Sequence, residues 1–194
     1  LVLTAINFLC PTKIGYGYHY RPYNENILDP IIRDSVREIN TSTKNEILIY
    51  LPTYSIDNII NIINKIPVQM EWTIFTNRID SNYKSEGINI NSISDNLFIE
   101  KIGSCYGIIC AGGFSTTSEA IYLGKPMLVV PVKAQIEQQF NAAALEKEGV
   151  QILKEFSLNY IEKIKEWINS PTLLHINYKE ISGEIVKKIL TTNK

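Results

Sequence analysis

The feature that most constrains this chain is the stretch 107–141, GIICAGGFSTTSEAIYLGKPMLVVPVKAQIEQQFN. Gly107-Ile108-Ile109-Cys110-Ala111 is a short apolar run of the kind that forms a strand buried on both faces. Gly112-Gly113 ends it. Two residues without Cβ permit a turn that larger side chains block, and they let a ligand approach the main chain. Ser115-Thr116-Thr117-Ser118-Glu119 opens a helix that stops at Gly124, and Lys125-Pro126 follows as expected beyond a helix C-terminus. A second buried strand spans 127–131. A glycine turn feeding a hydroxyl-rich helix is an anion site, because the first N–H groups of a helix lack carbonyl partners and its dipole favours negative charge there. The same residues also spell a capping box, with Thr116 as N-cap and Glu119 reaching back.

The rest of the chain repeats the alternation. Apolar runs predict strands at 47–51, 71–76, 88–90, 107–111, 127–131 and 150–153. Amphipathic patterns predict helices at 56–66, 95–104, 136–148, 158–168 and 176–190. Ser55 is a good N-cap for the first of these. Residues 77–85 read as polar loop. The expected fold is α/β: five or six parallel strands in one Rossmann-like sheet with helices on both faces. Ligands of such sheets sit at the C-terminal ends of the strands, which places Thr53 and Ser55 near the glycine turn.

Residues 1–45 are less regular and are read as the remnant of an N-terminal domain and a linker; the sheet domain is expected over 46–194. Within the first part, 1–9 reads as a strand or a tail, and 31–39 as a short linker helix. Tyr16-Gly17-Tyr18-His19-Tyr20-Arg21-Pro22-Tyr23 is an aromatic cluster in a loop context, more typical of packing than of ligand stacking. At 194 residues the chain fits one domain with an appendage. Its net charge of −1 points away from nucleic acid as a partner. The three cysteines, Cys10, Cys105 and Cys110, form no Cys-x-x-Cys pair, so neither a metal site nor a disulfide framework is expected. Cys105 and Cys110 read as core, and a reducing, cytoplasmic setting fits. The chain starts at Leu1 without Met or a basic signal region, and is read as a piece of a longer protein.

The central stretch resembles the donor-binding segment of GT-B nucleotide-sugar glycosyltransferases, which have two Rossmann-like domains. Residues 111–120 look like the family's His-x-Gly-x-x-Ser/Thr-x-x-Glu-Ala/Ser box. Gly124-Lys125-Pro126 matches the Gly-x-Pro that follows it. Pro131 and Glu137-Gln138-x-x-Asn141-Ala142 match a Pro-x(n)-Asp-Gln-x-x-Asn-Ala pattern. The chain is most similar to the branch that contains the peptidoglycan N-acetylglucosamine transferase. That branch has Gly-Gly-x-x-Thr-x-Ser-Glu and Gln-Gln-x-x-Asn-Ala. Asp29-Pro30-Ile31-Ile32-Arg33 resembles its Gly-Pro-Ile-Leu-Arg segment at the entry to the second domain. Two positions depart from the pattern. Ala111 stands where a phosphate-contacting His is usual, and Glu137 stands where Asp is usual.

The resemblance implies a nucleotide-sugar donor, bound as substrate with no cofactor. Gly112, Gly113, Ser115, Thr116, Thr117 and Thr53 would hold its diphosphate. Glu119 would accept the ribose hydroxyls, a role that competes with the capping box. Ile93 and Ser94 would give backbone contacts to the base, and Glu137, Gln138 and Gln139 would read the sugar. Asn141 would fasten the helix start behind them. The absence of an Asp-x-Asp motif points away from a metal-dependent GT-A mechanism, so no metal ligand is assigned. No catalytic residue is assigned either. In inverting relatives the base lies on the N-terminal domain, which would also hold the acceptor and make any membrane contact. The fragment is therefore expected to be inactive alone. A nucleotide-sugar 2-epimerase shares the architecture but usually shows Asp-Ser-Gly-Gly and a Glu-Glu pair, both missing here. A separate donor-binding subunit that needs a partner chain is the remaining alternative. The sugar, the acceptor, and uracil against thymine are left open.

Overall fold

The computed structural model describes residues 15–192. The expectations for 1–9 and for Cys10 lie outside them. The described residues fall into two compact units: Ile32–Asn177, and residues 15–31 together with those from Tyr178 onward.

The smaller unit holds two short parallel strands, β1 (Gly17–Tyr18) and β2 (Ile27–Leu28), and the C-terminal helix α7 (Ser182–Thr192). The loop expected at 16–23 thus contributes a strand. The helix expected from 176 begins only at Ser182. Upstream of it Tyr178 is 1% exposed, and its hydroxyl donates to the Tyr20 carbonyl at 3.2 Å. Side-chain burial there outweighs helix propensity. The His19 ring closes a local turn, with Nδ1 2.9 Å from the Arg21 carbonyl oxygen and 3.1 Å from its amide nitrogen.

The larger unit is a seven-stranded sheet. Its strands are β3 (Glu46–Tyr50), β4 (Glu71–Thr76), β5 (Tyr83–Ser85), β6 (Ile88–Ser92), β7 (Gly107–Cys110), β8 (Met127–Val129) and β9 (Gln151–Ile152). Their order is β5-β6-β4-β3-β7-β8-β9, and every pairing is parallel except β5 with β6. The six expected strands are all present, within two residues at each end. The seventh, β5, lies in the expected polar loop. It is a short, largely exposed edge strand joined to β6 through Glu86-Gly87, both at positive φ (51° and 82°). That is the mirror-image turn that suits a two-residue hairpin, built without the usual Asn-Gly or Asp-Gly.

The helices are α1 (Asp34–Arg37), α2 (Ile56–Ile63), α3 (Asp95–Ser104), α4 (Phe114–Tyr122), α5 (Ile136–Lys147) and α6 (Ile161–Asn169). Ser55 caps α2, its hydroxyl accepting from the Asn58 amide at 3.3 Å. The expected 31–39 helix shrinks to the single turn α1, and a 3-10 turn at Leu158–Tyr160 takes the start of the expected 158–168 helix. Alternation along β3 sends Ile47 and Ile49 to one face and Glu46, Leu48 and Tyr50 to the other. On the first face they join Ile59, Ile62 and Ile63 of α2 and Trp167 of α6 in the main core. On the other, the Phe98 ring of α3 meets Tyr50 and Phe75 edge-on, with centroids 5.6 Å and 5.1 Å apart. Cys105 and Cys110 are buried, as core residues should be.

Candidate functional site

Strand β7 runs out at the glycine turn. Gly112 has φ +80°, and a Cβ there would stand 3.1 Å from Val129 Cγ1, so both backbone and space demand glycine. Gly113 is different. Its φ of −64° suits any residue, and no atom lies within 4 Å of where its Cβ would be. It leaves the main chain open to approach. The turn is buttressed from α5, where Asn141 Nδ2 donates to the Gly112 carbonyl at 3.1 Å.

The helix α4 starts at Phe114 with Gly113 as N-cap and no side-chain cap. The capping box expected from Thr116 and Glu119 does not form. The first-turn N–H groups of Ser115 and Thr116 therefore have no carboxylate folded back on them. Thr117 is buried, and its hydroxyl donates back to the carbonyls of Gly113 and Phe114, each at 3.0 Å. A cleft of about 320 Å³ opens in front of the turn. Its lining includes Gly113, Ser115, Thr116, Glu137 and Gln138 of the predicted set, with Tyr50 and Pro52 from the end of β3. Gly112, Thr117, Glu119, Thr53, Ile93, Ser94 and Gln139 are not part of that lining.

The loop before α5 is closed by its own amides. Gln138 Oε1 accepts from the Val132 amide at 3.0 Å, and Gln139 Nε2 donates to the Val132 carbonyl at 3.1 Å. Both Gln side chains thus hold the loop, while Glu137 remains an exposed carboxylate on the cleft. At the end of β4, Arg78 donates through Nη2 to the Pro52 carbonyl at 3.0 Å, bringing a guanidinium to the rim.

Glu119 is the least expected part. It is 3% exposed, and its partner is Arg33, 86 residues earlier. Arg33 Nε donates to Oε1 at 2.6 Å and Nη2 to Oε2 at 2.9 Å, a two-pronged pair. Its third nitrogen, Nη1, stands 3.5 Å from Asp95 Oδ1 at the start of α3. The hydrogen bond to Glu119 raises the guanidinium above its already high ordinary value. Arg33 thereby ties Glu119 to the Ile93-Ser94-Asp95 segment, so two predicted subsites from different elements become neighbours. Ile93 and Ser94 are both exposed. No local pattern at Arg33 announces this role; only the resemblance of the segment 29–33 drew notice to it.

No protein of curated function matches the sequence. Solved structures do resemble it. The glycotransferase of kitacinnamycin shares 12% identity with a TM-score of 0.52, over 87% of this chain and 44% of that one. UGT2 of Phytolacca americana, complexed with UDP-2fluoro-glucose and pterostilbene, shares 15% at 0.51, over 75% and 38%. UDP-GlcNAc 2-epimerase from Neisseria meningitidis, bound to UDP-GlcNAc, shares 18% at 0.51, over 78% and 45%. This chain spans under half the length of each. At such identities the likeness establishes the fold, that of the C-terminal half of a GT-B glycosyltransferase. The family comes from the sequence: residues 16–170 match glycosyl transferase family 1, and the chain belongs to it.

Proposed function

We propose that this chain is the donor-binding half of a glycosyltransferase and holds a nucleoside diphosphate sugar, with UDP as the expected nucleotide. The observation that carries this reading is the open first turn of α4 beside Gly113, with no side-chain cap and with a cleft in front of it. Backbone N–H groups and the helix dipole there suit a diphosphate. The same groups would stabilise the charge on a departing nucleoside diphosphate, with no metal ion required of this chain. Ser115 and Thr116 add hydroxyls. Gly112 shapes the turn, and Thr53, exposed in the loop after β3, is the further hydroxyl assigned to the diphosphate. Glu119 accepts the ribose hydroxyls, Ile93 and Ser94 flank the base, and Glu137 with Gln138 and Gln139 reads a hexose or N-acetylhexosamine.

The acceptor and the general base belong to an N-terminal domain of the parent chain, so the fragment alone transfers no sugar. Proximity of two reactants lowers a barrier by about 7–11 kcal/mol, which one half of a cleft does not supply. The 2-epimerase shares only the fold, and no residue here favours that chemistry.

Titration calorimetry with Glu119→Ala tests the reading. UDP binding is expected to weaken by about 1.5–3 kcal/mol, the scale of a hydrogen bond to a charged group, while inorganic phosphate is unaffected. Equal losses for both ligands would make Glu119 a structural residue and sink its ribose role.

A further inference from the structure

We propose that Arg78 supplies the positive charge of the donor cleft, meeting the phosphates from the β4 side while the open turn of α4 meets them from the other. This rests on the donor-binding reading above. A diphosphate is strongly anionic. The residues that line the cleft include one carboxylate, Glu137, and no lysine, arginine or histidine. A helix N-terminus offers only about half an elementary charge. The cleft is therefore short of positive charge unless a cation reaches in from its rim.

The fold sets Arg78 at that place. Strands β6, β4, β3 and β7 are consecutive in the sheet and parallel, so their C-terminal ends form a row. Ile93 follows β6, Arg78 follows β4, Pro52 follows β3 and Gly112 follows β7. β4 thus stands two strands from the glycine turn, about 10 Å at the usual spacing. The arginine side chain crosses part of that gap. Its Nη2 donates to the Pro52 carbonyl at 3.0 Å, and Pro52 lines the cleft. The backbone is held at the same time: the Arg78 amide donates to Thr76 Oγ1 at 3.2 Å, and the Thr76 carbonyl accepts from the Ile93 amide at 3.2 Å. A guanidinium has five N–H donors, and the bond to Pro52 uses one. Among the described residues no carboxylate forms an ion pair with Arg78, whereas Arg33 and Lys101 are both paired. Arg78 is exposed, so its remaining donors are open to a ligand.

The test uses the 194-residue chain and the variants Arg78→Gln and Arg78→Lys. Lys84→Gln, which removes one positive charge from the exposed edge strand β5, is the control. Affinities for UDP and for uridine are measured by NMR titration at low and high salt, with thermal unfolding alongside. Arg78→Gln is expected to weaken UDP by roughly tenfold and uridine by less than about twofold, since the lost bond is to the phosphates. UDP binding by Arg78→Gln should also fall less steeply with salt than binding by the parent chain, because salt screens an exposed charge. Arg78→Lys keeps the charge but not the fork, so it should recover part of the UDP affinity. It serves as the readout should Arg78→Gln fail to fold. UDP binding by the parent chain that neither Arg78 variant alters would overturn the inference and leave the donor reading standing. No UDP binding by the parent chain would overturn both. Equal losses for UDP and uridine would make Arg78 a brace of the Pro52 loop. A loss in Lys84→Gln as large as in Arg78→Gln would make the effect one of net charge alone. Either of these two results also overturns the proposal.

Discussion

Glu46 and Glu119 are buried to the same degree, 2% and 3% exposed, and each is paired with a cation. They differ in how. Glu46 starts β3, at the edge of the sheet where strands begin. One of its oxygens, Oε1, accepts both Thr73 Oγ1 at 2.5 Å and Lys101 Nζ at 2.6 Å. Lys101 comes from the last turn of α3 and is 24% exposed. The result is a knot between two strands and a helix, with no glycine turn beside it. Glu119 lies in the helix that follows the C-terminal end of β7, and its partner grips both oxygens while facing solvent. Burial and charge pairing are thus poor guides to function by themselves. What separates the two pairs is the partner: Lys101 meets one oxygen of Glu46, whereas Arg33 holds both oxygens of Glu119 in one plane.

The comparison is sharpest in the largest effect. Glu46→Ala strands Lys101 against a low-polarity surface and is expected to cost about 3 kcal/mol of stability, the scale of breaking one side of a buried pair. Chemical denaturation measures it. UDP affinity of the folded variant should be unchanged; a loss as large as that in Glu119→Ala would erase the distinction between the two sites.

Gly112→Ala comes next. Its positive φ and the 3.1 Å approach to Val129 make the substitution strained, by about 2 kcal/mol, and the shifted turn should also weaken UDP. Stability loss without any loss of affinity would show that the turn does not shape the site.

The thiols test the buried side of the molecule through pH. Burial pushes Cys105 up to about 12 and Cys110 up to about 11. Unfolded thiols ionise near their ordinary value of 9.0. The stability these groups contribute is therefore complete below pH 9 and drains away as pH climbs toward the raised values. Each thiol lowers stability by about 1.4 kcal/mol per pH unit in that window. Lys125 is lowered by burial and works in the opposite sense, so the effect is read as a difference between the parent chain and Cys105→Ala. Parallel pH curves for the two would refute the assignment.

Gly113→Ala is the smallest in stability, within about 0.5 kcal/mol, because its backbone is ordinary and its Cβ meets open space. The methyl group would stand where the ligand approaches the main chain, so UDP affinity should fall all the same. A variant that binds UDP normally would place the ligand elsewhere in the cleft.

Much of this protein was legible before any coordinates. Short apolar runs between glycines and amphipathic helices specify buried parallel strands, because only continuous apolarity suits a sheet covered on both faces. The six parallel strands, the Ser55 cap and the stop of α5 before Gly149, at φ +87°, all follow from local chemistry of that kind. The glycine turn and the helix that follows it were visible for the same reason. The polar edge strand β5 was not, since an exposed strand has no apolar periodicity to betray it. The 176–190 helix was placed too early because Tyr178 is held by a carbonyl 158 residues away.

What only the tertiary structure decided is which side chains meet. Glu119 sits three residues after Thr116, and sequence proximity offered the capping box as one partner for it. The fold joins it instead to Arg33, at a separation of 86 residues, and brings Asp95 to the same guanidinium. Likewise Lys125, which reads as a mere spacer between Gly124 and Pro126, is buried with its ammonium on the carbonyls of Ser42 and Cys105. Backbone periodicity is a local property and survives in one dimension. A charge finds its partner only where separate segments are packed together and water is excluded, so its role is written in three dimensions.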